Sequence, residues 1–149
     1  MKKFYFAALA VVAVMFAACN DWQTPDTDKT KLYPAYSTST EAWGYIDDGG
    51  NFVIQPMFDD VTNFSCGYAR VEMGDEYRFI DKKGSLQTAP SYDYASVFYY
   101  NYSIIGLDDS YGMMGKDFNM AIQPYFYDID YMGDNGLIAA KRTDDSKWE

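Results

Sequence analysis

The stretch Trp43-Gly44-Tyr45-Ile46-Asp47 recurs along this chain at a fixed interval. Its counterparts are Tyr77-Arg78-Phe79-Ile80-Asp81 and, more loosely, Tyr111-Gly112-Met113-Met114, and each begins 34 residues after the one before. Four further columns keep this spacing: Pro56, Pro90 and Pro124; Phe58, Tyr92 and Phe126; Phe52, Leu86 and Met120; Val61, Ala95 and Ile129. Chance does not place five columns in phase across three units, so the sequence predicts an internal repeat.

The residue pattern within one unit is that of short strands separated by turns. Residues 43–46 predict a first strand, residues 48–50 a turn and residues 52–54 a returning strand. Residues 68–73 predict a third strand, and residues 74–75 turn the chain into the next unit. We therefore predict an all-β fold, an array of antiparallel three-stranded β-meander repeats of about 34 residues, with no helix longer than one turn.

The columns also carry expectations about packing. Proline lacks the N–H that a sheet ladder uses, so Pro56 should end its strand or lie at a sheet edge. One unit alone leaves much of its apolar surface in water, so the columns should form a core between neighbouring units. Phe52, Leu86 and Met120 should then occupy equivalent buried positions. Residues 32–36 are a candidate strand ahead of the first unit.

The N-terminal segment has the features of an export signal. Lys2 and Lys3 precede an uncharged apolar run over residues 4–18, which is too short for a stable membrane-spanning helix. We predict a signal peptide at 1–18, a flexible polar tether at 19–31 and a β domain at 32–149. The domain divides into repeats at about 43–76, 77–110 and 111–147, with the start of a further repeat at Trp148.

The end of the apolar run is more specific. Phe16-Ala17-Ala18-Cys19 resembles the lipobox of bacterial lipoproteins, in which the cysteine is acylated and becomes the mature N-terminus. The resemblance implies a lipid anchor at Cys19 and a place in the cell envelope, at the outer membrane of a Gram-negative bacterium. The alternative is an unmodified cysteine beside an ordinary cleavage site. If Cys19 carries lipid, Cys66 is the one cysteine left, and we expect it to act as a small buried apolar side chain or to form an intermolecular bridge.

Composition argues against several functional classes. The 22 acidic residues outnumber the 12 basic ones, which disfavours nucleic acid as a partner. The chain has no histidine, so it cannot build a Ser-His-Asp or Cys-His arrangement or a histidine-ligated metal site. The paired carboxylates all fall in predicted turns or connections, where turn formation accounts for them: Asp47/Asp48, Asp59/Asp60, Asp108/Asp109 and Asp144/Asp145. We predict no catalytic residues, no cofactor and no resident metal.

One stretch has a superficial likeness to a calcium-binding loop. Residues 128–133 carry two aspartates and a glycine at suggestive positions. The fifth position lacks an oxygen ligand, and Ala139 stands where a bidentate glutamate is required. We therefore do not expect an EF-hand here.

Aromatic residues are the remaining candidates for binding. Those in register with the repeat, such as Tyr92, Phe98 and Phe126, are expected in the core. Tyrosines that fall out of register can instead stack on sugar rings or anchor a protein partner. The candidates are Tyr94, Tyr99, Tyr100 and Tyr127.

The repeat pattern resembles that of the WG-repeat family of bacteria. Residues 43–67 match its W-G-Y-I-D, glycine turn and F-V-I-x-P sequence closely, residues 77–98 match with Tyr77-Arg78 in place of Trp-Gly, and residues 111–136 match more loosely. The resemblance implies a binding or interaction module of an exported or lipid-anchored protein, and it supplies no catalytic residues. Gly115 replaces the motif aspartate in the third unit.

Two functions follow as hypotheses. The first is a non-catalytic, lipid-anchored interaction module of unknown partner, displayed on the envelope. The alternative is a glycan-binding surface lipoprotein that uses exposed tyrosines. Coplanar tyrosines on one face would favour the glycan, and a clustered apolar patch would favour the protein. At the C-terminus, Trp148 opens a unit that Glu149 ends, so we expect either a longer natural array or an edge that pairs with another molecule.

Overall fold

The structure is a computed structural model that describes residues 30–87, 91–132 and 138–142. These residues form twelve strands and no helix, which confirms the predicted all-β class. Cys19, the signal peptide and Trp148 lie outside the described residues. Within the described ranges there is no helix with the length and apolarity needed to span a membrane. The strands are β1 (Tyr33–Ser37), β2 (Ala42–Ile46), β3 (Phe52–Phe58), β4 (Asp60–Val61), β5 (Tyr68–Met73), β6 (Glu76–Asp81), β7 (Tyr94–Ala95), β8 (Tyr102–Leu107), β9 (Ser110–Gly115), β10 (Met120–Phe126), β11 (Asp128–Tyr131) and β12 (Ile138–Lys141).

The strands form four antiparallel sheets that cross the boundaries between repeats. The first sheet is β1-β2-β3, the second β4-β5-β6, the third β7-β8-β9-β10 and the fourth β11-β12. The third strand of one unit, β5, therefore pairs with the first strand of the next, β6, and β8 pairs with β9 in the same way. The meander is as predicted, but its hydrogen-bonded partners belong to two successive units.

Tight hairpins explain this pairing. Asp108 and Asp109 join β8 to β9 with φ values of 49° and 59°, the left-handed pair of a type I′ turn that matches the twist of the strands. The Asp93 carboxylate accepts the Asp108 N–H at 2.8 Å, and the Asp59 carboxylate accepts the Gly74 N–H at 2.6 Å in the equivalent hairpin. The aspartate that follows the aromatic column thus caps the hairpin joining two units.

The glycine of the WG pair is needed because backbone approaches it closely. A Cβ on Gly44 would lie 2.5 Å from the Ile54 carbonyl oxygen, and one on Gly112 would lie 2.5 Å from that of Ile122. In both sheets the returning strand bulges opposite the glycine. Pro56 lies within this bulge on edge strand β3, so it occupies a sheet edge, as predicted, and does not end its strand.

Successive sheets stack, and a hydrophobic core fills each space between them. Three clusters of buried residues lie in chain order, and each combines side chains of neighbouring sheets. The β-strand alternation sends Ile80 to one cluster and its neighbour Phe79 to the next, and both are fully buried. The core therefore lies between repeats, as predicted. Its members are Leu32, Tyr45, Ile54, Phe58, Ala69, Val71 and Ile80; then Phe79, Tyr92, Ala95, Phe98, Ile105 and Met114; then Ile104, Met113, Ile129 and Ala140.

One column does not occupy the predicted position. Leu86 is 47% exposed, and Phe52 and Met120 are only half-buried. The prediction that these three residues are equivalent buried positions is therefore wrong. Phe52 and Met120 open the returning strands beside a register shift, so this column lies at the margin of each sheet.

The middle unit departs from its neighbours at the WG position. Arg78 stands where Gly44 and Gly112 stand, and its guanidinium pairs with Glu76 at 3.0 Å. Among the described residues, the returning segment joins β6 through the Ile80–Leu86 and Tyr77–Tyr92 bridges and through the Gln87 N–H, which donates to the Phe79 carbonyl at 2.8 Å. Residues 88–90 between these contacts are not described.

Cys66 also differs from its expected state. It is half-buried in the tight turn between Ser65 and Tyr68, with φ of 55°, and it is disulfide-bonded. The expectation of a small buried apolar side chain is therefore wrong. The only other cysteine in the sequence is Cys19. One sulfur cannot hold both a thioether-linked lipid and a disulfide, so the two are alternative states of this chain, and a chain lipidated at Cys19 would carry Cys66 as a thiol or in a bridge to another chain.

Candidate binding surface

The four tyrosines predicted as binding residues lie on two connections and one short strand. Tyr94 belongs to β7, Tyr99 and Tyr100 lie just before β8, and Tyr127 lies between β10 and β11. Tyr94, Tyr99 and Tyr127 are 41%, 38% and 47% exposed, and Tyr100 is half-buried. All four therefore reach solvent, which in-register Tyr92 and Phe98 do not.

Tyr94 is the middle member of a tyrosine ladder, which we define as Tyr77, Tyr94 and Tyr111. The Tyr94 ring lies 5.7 Å from that of Tyr111 and 6.4 Å from that of Tyr77. Gly106 is the cross-strand partner of both Tyr94 and Tyr111, and a Cβ there would lie 2.9 Å from the Tyr94 Cβ. The glycine thus leaves room for the two rings to meet across it.

Arg70 closes one end of the tyrosine ladder. Its guanidinium lies 4.8 Å from the centre of the Tyr77 ring, donates to the Ala95 carbonyl at 3.2 Å and pairs with Asp60 at 3.2 Å. The Arg70 guanidinium therefore holds the Tyr77 ring in place through a cation–π contact. Since Arg70 is largely buried and paired with Asp60, it supports the ladder and is not itself presented to a ligand.

A second group, the tyrosine trio of Tyr99, Tyr100 and Tyr131, lies at the hairpin before β8. The Tyr99 ring is 4.4 Å from that of Tyr100 and 5.1 Å from that of Tyr131. Tyr100 and Asn101 form the hairpin turn with φ values of 49° and 69°, an uncommon conformation for non-glycine residues. This turn places the successive residues Tyr99 and Tyr100 at the tip of the hairpin, with their rings in contact.

Burial and hydrogen bonding hold Tyr131 in place. Its hydroxyl donates to the Tyr102 carbonyl at 3.0 Å. Burial raises the pKa of Tyr131 to about 12, and the negative charge on an ionised Tyr94 would add to this rise. Tyr111 of the ladder and Tyr131 of the trio both pack against the third core cluster, so the two groups of rings share that part of the molecule.

The ring planes limit what these tyrosines can bind. The two ladder pairs meet at 69° and 70°, and the two trio pairs at 78° and 65°, so all are edge-to-face. Edge-to-face rings form a ridged apolar surface that carries hydroxyls, and not a flat platform for a sugar ring. Such a surface suits the irregular side chains of a protein.

The carboxylates serve local structure. Asp47 accepts the N–H groups of Gly49 and Asn51, both at 2.9 Å, and these bonds lower its pKa. Asp81 accepts those of Lys83 and Ser85 at the same distance in the second unit. Among the described residues, no group of three or more His, Cys, Asp or Glu side chains is arranged to hold a metal ion. The stretch that resembled a calcium loop begins instead with strand β11.

Sequence reasoning missed three members of this surface: Tyr77, Tyr111 and Tyr131. The first two share the Trp43 column and were expected in the core, yet both are half-buried. A signal was available, since counting outward from the Asp108-Asp109 turn places Gly106 opposite Tyr111. A glycine opposite an aromatic residue marks a place where a further ring can fit.

A family comparison agrees with this geometry. The model of the WG containing repeat matches residues 43–77, 77–110 and 111–148. The chain belongs to the WG repeat family. The close backbone approach at Gly44 and Gly112 gives a physical reason for the glycine of the WG pair. No match was found among curated proteins or among solved structures.

Proposed function

We propose that this WG repeat protein is a non-catalytic interaction module, held at the cell envelope by lipid on Cys19, that binds a protein through the tyrosine ladder and the tyrosine trio. The observation that carries the proposal is the exposure of Tyr94 and Tyr99 within groups of rings that are already packed together. Tyrosines fixed in this way lose little conformational entropy when a partner covers them, and aromatic residues dominate binding hot spots.

Charge adds to the argument. With a net charge of −10, the chain attracts partner surfaces of the opposite sign and repels nucleic acid. The partner best suited to the surface is a protein with an apolar centre and a basic rim. The absence of histidine from the sequence and the use of Asp47, Asp59, Asp81 and Asp93 as turn caps support a non-catalytic role.

The glycan-binding alternative is less well supported. It calls for coplanar exposed rings, whereas the rings here meet at 65° to 78°. Tyr127 is exposed on a separate connection, between β10 and β11, and it remains a candidate for binding a glycan. Binding of envelope polysaccharide that is lost on Tyr127→Ala and kept on Tyr99→Ala would favour the glycan.

The test of protein binding uses crosslinking and recovery from native envelopes. The double variant Tyr94→Ala, Tyr99→Ala should lose a specific partner that the wild type retains, because each ring supplies exposed aromatic area. Tyr125→Ala is the matched control, since Tyr125 is 66% exposed on β10, outside the ladder and the trio. A partner profile unchanged by the double variant, with both variants folded by circular dichroism, would contradict the proposed surface.

The lipid anchor has its own test. Cys19→Ser expressed in the native host should remain unprocessed or soluble, since the serine hydroxyl does not replace the thiolate in thioether formation. Intact-mass measurement of the wild type should show a mature chain that begins at Cys19 and carries diacylglycerol. Because lipid and a Cys19–Cys66 disulfide are mutually exclusive, an unlipidated chain with that disulfide would refute the anchor.

A further inference from the structure

The second and third sheets carry different side chains at the equivalent positions that surround the tyrosine ladder. In the second sheet, Glu72 pairs across the strands with Tyr77 on one side and with Asp60 on the other. The same three positions in the third sheet are held by Gly106, Tyr111 and Tyr94. Tyr94 therefore takes the place of a carboxylate, and the glycine in the middle leaves room for its ring.

The second sheet supplies a cation to its ladder ring, whereas the strands of the third sheet contain no lysine or arginine. The Arg70 guanidinium lies 4.8 Å from the centre of the Tyr77 ring and pairs with Asp60 at 3.2 Å. Ile104 occupies the position of Arg70 in the next unit, 34 residues later. Tyr94, which is 41% exposed, thus presents an aromatic surface to which its own sheet adds no cation.

Carboxylates flank this aromatic surface. Asp93 directly precedes Tyr94, and Asp108 and Asp109 form the tip of the β8–β9 hairpin, two residues from the ladder. All three aspartates are exposed, and they are the only charged residues between positions 84 and 115. Among the described residues, no side chain forms an ion pair with Asp108 or Asp109. The surface around Tyr94 is therefore both aromatic and negatively charged.

The basic residues nearest to this stretch lie elsewhere in the fold. Lys83 and Lys116 follow β6 and β9, at the opposite ends of those strands from the hairpins that join the units. Arg142 follows β12, and within the described part of the chain it pairs with no carboxylate and lies over no aromatic ring. A second copy of the chain would bring the same acidic stretch to the contact, and like charges repel. Charge complementarity therefore favours a basic side chain of a different protein.

We propose that an arginine side chain of the partner protein stacks on Tyr94 and pairs with the carboxylates of the β8–β9 hairpin. The contact would repeat between two molecules what Arg70 does with Tyr77 and Asp60 within one. It rests on the proposed function, in which the tyrosine ladder binds a protein. Arginine suits this place better than lysine, because a planar guanidinium stacks on an aromatic ring while its N–H groups reach a carboxylate.

Peptide binding to the full-length protein, extracted from its host membrane in mild detergent, tests the arginine contact. The probe is a short fluorescent peptide in which arginines alternate with glycine and serine, and its neutral match carries citrulline in place of each arginine. Fluorescence anisotropy at physiological ionic strength should give a dissociation constant at least about tenfold lower for the arginine peptide, because citrulline keeps the shape without the charge. Equal affinity for the two peptides, or no binding of either, overturns the proposal.

Paired variants locate the contact on the molecule. Asp108→Asn, Asp109→Asn removes two charges and keeps the hairpin, since asparagine tolerates the left-handed φ values of 49° and 59°. This variant should bind the arginine peptide about fivefold more weakly, as should Tyr94→Ala. Asp48→Asn, Asp117→Asn is the matched control, because it removes the same charge from exposed turns that follow β2 and β9. If both pairs of aspartate changes weaken binding alike, net charge alone holds the peptide and the proposed contact is wrong.

Recovery of the partner from native envelopes separates this contact from the proposed function. Tyr94→Ala, Tyr99→Ala should lose the partner if the ladder and the trio bind a protein, and Asp108→Asn, Asp109→Asn should recover about fivefold less of it. A partner that the tyrosine variant loses and the aspartate variant retains in full overturns the arginine contact and leaves the proposed surface standing. A partner that both variants retain in full contradicts both.

Discussion

The glycine of the WG pair gives the sharpest prediction about stability. In Gly112→Ala the new Cβ would lie 2.5 Å from the Ile122 carbonyl oxygen, 2.7 Å from the Pro124 nitrogen and 2.8 Å from the Gln123 carbonyl carbon. All three atoms are backbone, so no side-chain rotation relieves the contact. The pairing of β9 with β10 must shift instead.

The magnitude follows from two opposing effects. Replacing a strand glycine by alanine without a clash would stabilise the fold by about 0.5–1 kcal/mol, because the unfolded chain loses freedom. Overpacking against a fixed backbone costs about 1–3 kcal/mol, and each ladder hydrogen bond lost costs about 1 kcal/mol more. The clash therefore wins, and we expect a net loss of roughly 2–3 kcal/mol, or roughly 10–20 °C in Tm for a domain of this size.

Guanidinium unfolding followed by circular dichroism measures this loss. Gly44→Ala should behave like Gly112→Ala, because its Cβ would meet the Ile54 oxygen at 2.5 Å. Gly49→Ala is the control, since its Cβ would meet only the side chains of Asn51 and Asp47, at 3.0 and 3.1 Å, and it should change stability by less than about 0.5 kcal/mol. If Gly112→Ala is as stable as Gly49→Ala, the close-approach explanation of the motif is wrong.

Three further changes test other parts of the fold. Phe118 occupies the same repeat position as Gly50, has a φ of 61° and packs on the Tyr68 ring. Phe118→Gly removes backbone strain of about 1 kcal/mol but loses about 3 kcal/mol of aromatic packing, so thermal unfolding should show a net destabilisation. Asp93→Ala leaves the Asp108 N–H without its acceptor and should cost about 1 kcal/mol by chemical denaturation, whereas Asp93→Asn, which keeps an acceptor oxygen, should cost less. Folding raises the pKa of Tyr131 to about 12, so neutral Tyr131 contributes fully to the free energy of unfolding below pH 10, and this contribution is lost as the pH rises from 10 to 12. In Tyr131→Phe, the free energy of unfolding should therefore fall less steeply than in the wild type over that pH range.

The sequence was sufficient to predict strands and turns but not which strands share a sheet. The columns through Trp43, Tyr77 and Tyr111 fix the interval, and the alternation at Phe79 and Ile80 fixes two buried faces. Pairing across the unit boundary depends on the hairpin at Asp108-Asp109, in which both residues have left-handed φ values. Aspartate also adopts ordinary φ values, so its presence in the sequence does not by itself predict this turn. The burial of Leu86 was mispredicted for a related reason. A repeated column shows that its residues occupy equivalent positions, but it does not show how close those positions lie to the margin of the sheet.

The candidate surface was predictable in part. Tyr94 and Tyr99 were identified because they fall outside the repeat register, and they are exposed. Their partners Tyr111 and Tyr131 were not, because contact between rings depends on side-chain packing across Gly106 and at the hairpin before β8. That packing also sets the angle between the rings, which favours a protein over a glycan as the partner. This angle cannot be predicted from the sequence.

The central structural claim is that each core lies between consecutive sheets, and methyl–aromatic nuclear Overhauser effects test it most directly. In methyl-labelled protein, the Val71 methyls should show contacts with the Tyr45 ring, and the Ile105 methyls with the Phe79 ring, since each pair shares one cluster. Val71 and Ile105 belong to different clusters, separated by the second sheet, and should show no contact with each other. Contacts between Val71 and Ile105, with none from either residue to its predicted ring, would contradict the stacked arrangement.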